Sequence, residues 1–367
     1  MTTRAQALGT QIWPLVPLLG LVAACSLLAF VNNVLEREVT LAMIYLILVV
    51  SLYTFTGNSG VASFGHISFM AIGAYTAGLL TISPLMKLAV MSQLPDFIER
   101  AHWGSAPAVL LGGLIAAVFA AIVSLPLMRL SGLAASLATF AVLNIVFIVS
   151  DNWTQVTNGS AGIADIPTAT TALGATGWAL LVICAAFAFQ ATRSGLRLRA
   201  SREDDIAAQS IGITIVRERR VSFVLSAFIG GVGGGVFAQF IGSFNAQSFY
   251  LSLTFLTFVM LVVGGTRSLA GAVIGSLFIS LVSALLVRVE SGVSLGLVEI
   301  PSRPGLREVA LALIMLATLI LRPTGITGGR EIPALSRTPV RRVIDRFRTN
   351  RELNTPAREA EEQCNVS

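Results

Sequence analysis

The chain has 367 residues, 54% of them hydrophobic and only 12% charged, with a mean hydropathy of +0.80 and a net charge of +6. Soluble domains carry about a quarter charged residues, so a soluble enzyme of this composition would lack polar surface, and the long uncharged runs make lipid the solvent. The positive excess is localised: seven arginines fall between Arg193 and Arg220 and nine between Arg322 and Arg358. Both segments flank apolar spans, which points to cytoplasmic anchoring rather than nucleic-acid binding.

In chain order the apolar stretches are Trp13–Val31, Thr40–Phe55, Gly60–Leu80, Ala106–Leu127, Leu130–Ser150, Gly174–Gln190, Val221–Ile241, Ser252–Gly264, Leu269–Val287 and Leu306–Leu321. A crossing helix needs about 20 residues, so Ser252–Gly264 is short unless it begins near Phe249. Gly60–Leu80, rich in glycine and serine, reads as a broken or re-entrant helix. Val22-Ala23-Ala24-Cys25 imitates a lipoprotein cleavage site, but the apolar run continues to Val31 and further spans follow, so a retained first helix is expected. The reading is an all-α, polytopic membrane bundle of about ten spans, with eight or nine plus re-entrant pieces as the alternative. Arginine asymmetry puts both termini, Arg199 and Arg341 in the cytoplasm, and Lys87 and Asp165 outside. Residues 1–328 form the membrane domain, with a cytoplasmic loop at 191–220. Residues 329–367 read as a solvated, disordered tail, with Ile344 and Phe347 suited to a short helix on an anionic membrane surface.

Three segments carry chemistry. Thr56 to Tyr75 places Ser63, His66 and Ser68 at membrane depth, where polar groups need partners or a water-filled path. They are candidates, with Tyr75, for a translocation pathway or for helix packing. Gly73 with Ala77 and Ala74 with Gly78 form small-xxx-small pairs. The second segment, Gly230-Gly231-Val232-Gly233-Gly234-Gly235, suits close helix packing better than a phosphate loop, since no Lys-Ser/Thr follows it. The third, Ser194 to Ile213, reads as a short helix from Arg202 to Ile211. Ser201 and Asp204 form a capping box, acidic Glu203, Asp204 and Asp205 lie near its start, and Gly212 is its stop. Its apolar patch of Ile206, Ala207 and Ile211, next to small Ala208, suits docking to a partner. The spans are read as free of Asp, Glu, Lys and Arg, which argues against an ion-coupled carrier. Cys25, Cys184 and Cys364 have no metal-ligand spacing. No catalytic constellation and no metal site is expected.

At these segments the sequence resembles the M-type permease of branched-chain amino acid ABC importers. That family's Thr-Gly-x-x-Gly-x-x-Ser-x-Gly-His stretch is similar to Thr56–His66, and its Phe-x-x-x-Gly-Ala-Tyr pattern to Phe69–Tyr75. Its external element is similar to Thr157–Ile163 ahead of Pro167, and its coupling loop to Arg202–Ile213. Its late motifs resemble Gly264–Gly271, where Thr266-Arg267 departs from the usual Leu-Gly, and Arg322–Gly325. The resemblance implies a fold like that of the vitamin-B12 importer permease and a place in the bacterial inner membrane. It also implies four partners: a second, homologous permease, two cytoplasmic ATP-binding subunits, and an external substrate-binding protein. ATP would be bound by those subunits, leaving this chain without a cofactor or an ATPase site. Substrates in the wider family include branched-chain amino acids, urea, short-chain amides and aromatic acids.

Overall fold

The computed structural model describes residues 15–84, 86–87, 101–290, 294–295, 298–299 and 305–328. The expectations for the N-terminus, Arg341, the surface helix at Ile344 and Phe347 and the tail lie outside the described residues. Each apolar stretch contains a helix. These are α1 (Leu15–Leu27, continued by a 3-10 turn to Phe30), α2 (Asn33–Ser59), α3 (His66–Thr81), α4 (Ser105–Leu127), α5 (Gly132–Asn152) and α6 (Ala172–Ala191). They continue with α7 (Arg193–Glu203) and α8 (Asp205–Ser210) in the loop, then α9 (Ile215–Ile241), α10 (Leu251–Gly264), α11 (Leu269–Glu290) and α12 (Leu306–Leu321). A two-residue antiparallel ladder, Ser294–Leu295 with Val298–Glu299, is the strand pairing among the described residues. By length and composition, seven described helices suit a membrane crossing, α10 among them once its lead-in turn from Ala246 is included, and α1 and α3 are shorter apolar helices.

Several helix ends differ from those read in the sequence. The break read in Gly60–Leu80 falls at its start: α2 runs on to Ser59 and stops at Gly60, whose φ of +74° suits glycine, and α3 begins only at His66. The serines and glycines between them form the break. α2 also begins earlier, at Asn33, capped by the Asn32 side chain on the Val34 amide, and so brings Glu36, Arg37 and Glu38 into its first turns. α12 keeps the bounds read for it but opens with Arg307 and Glu308, so the reading of the spans as free of charge fails for the last one.

The core is α9 with α2, α3 and α4 around it. Its contacts are backbone on backbone. A Cβ built on Gly73 of α3 would fall 2.1 Å from the Gly231 carbonyl oxygen, and one on Gly234 would fall 2.0 Å from that of Met70. Three helices meet there, because the Gly231 Cβ would also strike the Ala116 methyl at 2.7 Å. Serines tie the fourth: the Ser51 hydroxyl donates to Ser226 O and the Ser222 hydroxyl to Thr54 O, both at 2.7 Å. The run of glycines is therefore a packing surface, as the sequence suggested.

The bundle has two distinct ends. At one, Arg202 Nη1 donates to Gly57 O at the C-terminus of α2, and Arg267, ahead of α11, lies 3.8 Å from Glu203. At the other, Ile163 pairs with Phe244 beyond the end of α9, Ile166 N donates to Gly242 O, and Lys87 Nζ donates to Ala101 O. Lys87 and Asp165 thus share the end opposite Arg199. The two late glycine motifs meet as a turn on a turn: Ile326 N donates to Val263 O at 2.9 Å and the Thr327 hydroxyl to Gly264 O at 2.8 Å, which pins the chain just after α12.

Gly73→Ala and Gly234→Ala should each destabilise the fold by about 1–3 kcal/mol or more, since backbone rather than a movable side chain is in the way. Gly177→Ala, in α6 with nothing within 4 Å of the added carbon, should be neutral or stabilising by up to about 1 kcal/mol. Thermal denaturation of the purified protein in detergent checks this; equal melting temperatures for all three would contradict backbone contact.

Candidate functional site

The arginine-rich loop is two helices, not one from Arg202 to Ile211. α7 carries Arg202 and Glu203 at its end, and Asp204 breaks the path with an extended backbone. Its carboxylate then accepts from Ile206 N at 2.9 Å and Ala207 N at 3.0 Å and so starts α8. The capping box with Ser201 does not form: Ser201 is buried inside α7, its hydroxyl donating to Leu198 O at 2.8 Å. Asp204 caps because its short side chain reaches the two free amides ahead of it. The stop is as expected. Gly212 has φ +83°, its amide donates to Gln209 O and the Ile213 amide to Ala208 O, the paired closure of a Schellman turn.

The loop presents an apolar tip on a polar tether. Ile206 is 82% and Ile211 75% exposed, whereas Ala208 is 3% exposed and faces inward. Ala207 is also exposed. The tether has two arms. Arg202 holds the end of α2 through Gly57 O, and the Arg202 guanidinium beside Glu203, with Arg267 beyond, holds that carboxyl below the usual carboxylate range. Arg219, buried on the first turns of α9, reaches Asp205 at 3.3 Å. The split loop is thereby joined through α7 to α2 and through α8 to α9, the two most buried of the spans. Sequence reasoning missed Arg219; a buried arginine at the start of an apolar helix is the signal that could have found it.

The other candidates cluster around His66. It is 5% exposed, with Nδ1 2.8 Å from the Ser63 hydroxyl and Nε2 2.9 Å from the Ser226 hydroxyl. The rings of Phe55, Phe69 and Phe223 surround it at centroid distances of 5.7 to 5.8 Å. Ser226 was not singled out in the sequence, although a serine one turn before the glycine run is a signal of its own. Ser68 is buried, and its hydroxyl donates to Gly65 O at 2.5 Å across the first turn of α3. Tyr75 lies two turns further along, packed on Phe244 and Phe249; its buried hydroxyl has no partner among the described residues. Ser63 and His66 are therefore brought together with Ser226, while Ser68 bonds only within its own turn and Tyr75 stands apart. With both ring nitrogens satisfied inside an aromatic box, His66 is built as a clasp between α3 and α9. His66→Leu should strand the buried Ser63 hydroxyl at about 1–3 kcal/mol and remove the bond to Ser226, whose hydroxyl keeps Phe223 O as a partner. Membrane abundance and melting temperature should fall together with uptake; normal abundance with lost uptake would instead assign His66 to the pathway.

Residues 34–321 match the family model described as "Branched-chain amino acid transport system / permease component". The chain is 28% identical to the high-affinity branched-chain amino acid transport system permease protein LivM of Salmonella typhimurium over 62% of this chain and 58% of that protein. It is 34% identical to the probable branched-chain amino acid transport permease protein LivH of Methanocaldococcus jannaschii, over 37% of this chain and 41% of the relative. It is also 33% identical to the nucleoside ABC transporter permease protein NupC of Lactococcus lactis, over 34% and 38%. The matched region thus spans under two thirds of each relative's length. No solved structure matches the chain. Because the family model covers the helices from α2 through α12, including the split loop and the glycine core, this chain belongs to the family of branched-chain amino acid transport permease components.

Proposed function

We propose that the chain is the inner-membrane, multi-pass permease subunit of an ATP-driven importer of branched-chain or related small amino acids. In this reading it has the fold type of the vitamin-B12 importer permease. It pairs with a second, homologous permease and with two cytoplasmic ATP-binding subunits that bind and hydrolyse the ATP, and it receives substrate from an external binding protein. Residues 1–328 are the permease domain, and the arginine-rich end of the bundle is its cytoplasmic end. The observation that carries the reading is the exposed Ile206/Ile211 tip on α8, tied by Arg202 and Arg219 to the core helices. Such a tip fits a groove on an ATPase, and its tethers pass a closing motion of that partner to α2 and α9. The second reading, a nucleoside substrate, rests on the Lactococcus relative; urea, amides and aromatic acids are further substrate alternatives within the same architecture. An ion-coupled carrier would make no use of a docking tip.

The tip gives a direct test. Ala207→Glu puts an unpaired charge beside Ile206, at a contact expected to be desolvated on docking, and should weaken ATPase association by about 2–5 kcal/mol. Gly212→Val forces a β-branched residue to positive φ and should unwind the stop of α8. Both variants should reach the membrane at normal levels, fail to co-purify the ATP-binding subunits and lose uptake. Wild-type association and transport by Ala207→Glu would remove α8 as the coupling element.

A further inference from the structure

At the end of the bundle opposite the arginine-rich loop, α2, α11 and α12 leave a cleft of about 560 Å³, within the size range of small-molecule sites. Its polar lining is Asn33, Arg37, Glu38 and Tyr45 of α2, Ser280 and Ser283 of α11, and Arg307 of α12. Charges of both signs therefore face one small space. The Tyr45 hydroxyl lies within electrostatic reach of both Glu38 and Arg307. Two of the lining groups are incomplete: Ser280 Oγ and Arg307 Nε are buried with no hydrogen-bond partner among the described residues. Arg307 uses Nη2 on its neighbour Glu308, at 3.2 Å, which leaves the Nε edge for something else. Buried donors without partners are rare in folded proteins unless a ligand or water completes them. The remaining wall, Val34, Leu41, Ala42, Ala284 and Val287, is aliphatic.

From this arrangement we infer that the cleft is a binding site for a zwitterionic α-amino acid with an aliphatic side chain. Arg307 and Ser280 take the carboxylate, Glu38 takes the ammonium, and the Leu41–Val287 wall takes the side chain. Charges of both signs on the walls of one cleft, with an aliphatic wall beside them, suit such a solute, and a guanidinium presents the planar fork a carboxylate requires. The inference rests on the importer reading above and deepens it, placing substrate recognition on the permease itself, on the side that receives the cargo. A nucleoside carries no such pair of charges. A phosphoethanolamine headgroup does, and is the competing source of the same chemistry.

The test uses the assembled transporter in membranes, with Cys25, Cys184 and Cys364 replaced by alanine and a single reporter, Ala284→Cys, in the cleft. Ala42→Cys on the opposite wall serves as a second reporter should the first fail to assemble. Alkylation of the reporter is followed with L-leucine, L-leucinamide (no carboxylate), 4-methylpentanoate (no ammonium) or glycerophosphoethanolamine, and leucine uptake is measured in parallel. L-leucine alone should slow alkylation. Glu38→Gln and Arg307→Gln should each raise the leucine concentration for half-protection about tenfold, the loss of one hydrogen bond to a charged group. Leucine uptake without leucine protection, or protection unchanged in both variants, would overturn the site while leaving the importer reading intact. Stronger protection by glycerophosphoethanolamine would assign the cleft to a lipid. Failure of the wild-type assembly to take up any amino acid would overturn the importer reading, and this inference with it.

Discussion

Contact between bare backbones is the constraint on which the rest of this structure depends. In lipid there is no hydrophobic force pushing helix against helix, so close approach and buried hydrogen bonds must hold them. The glycine run of α9 lets α3 and α4 come so near that a single added methyl would overlap a carbonyl oxygen. That approach brings Ser226 within reach of His66, and Ser51 and Thr54 of α2 within reach of the same helix. A run of glycines costs an isolated helix roughly 1 kcal/mol per residue relative to alanine; here the packing it permits offsets that, and the polar clasps set the register.

The second feature is how the loop is joined to this core. α8 is too short to stand alone, and its order comes from its ends, the Asp204 cap and the Gly212 turn. Its position comes from two arginines that reach different core helices, Arg202 to the end of α2 and Arg219 from the start of α9. One contact is a hydrogen bond to a backbone carbonyl and the other sets a buried guanidinium against a carboxylate, so together they fix where the loop sits against α2 and α9; in the proposed importer, a push on the Ile206/Ile211 tip reaches those two helices. The turn formed by Gly264–Gly271 and Arg322–Gly325 closes the same end, with Arg267 facing Glu203.

Much of this was legible in the amino-acid order, for reasons that can be named. Apolar runs located every long helix, because nothing else explains so many uncharged residues. The glycine stretch announced close packing, since an interior helix has no other use for it. Gly212 announced a stop. What the order did not show were partners distant in sequence and helix ends. The Ser201–Asp204 spacing imitates a capping box, but Ser201 is buried inside α7 and Asp204 alone does the capping. The glycines and serines of Gly60–Leu80 did announce a broken helix, but not that the break falls at 60–65, with the preceding helix running on to Ser59. The charged first turns of α2 and α12 fall at the margins of apolar windows, so the cleft they line has no local signature. Ser226, 160 positions from His66, could be matched to it only in three dimensions.

In the proposed importer, motion delivered at the arginine-rich end drives uptake through this bundle. Reconstitution of the chain with its partner permease, the ATP-binding subunits and the external binding protein in sealed vesicles tests it most directly. The predicted result is accumulation of L-leucine only when ATP is on the side of Arg199 and the binding protein is on the side of Lys87. Accumulation driven by a proton or sodium gradient without ATP, or with the two sides reversed, would contradict it.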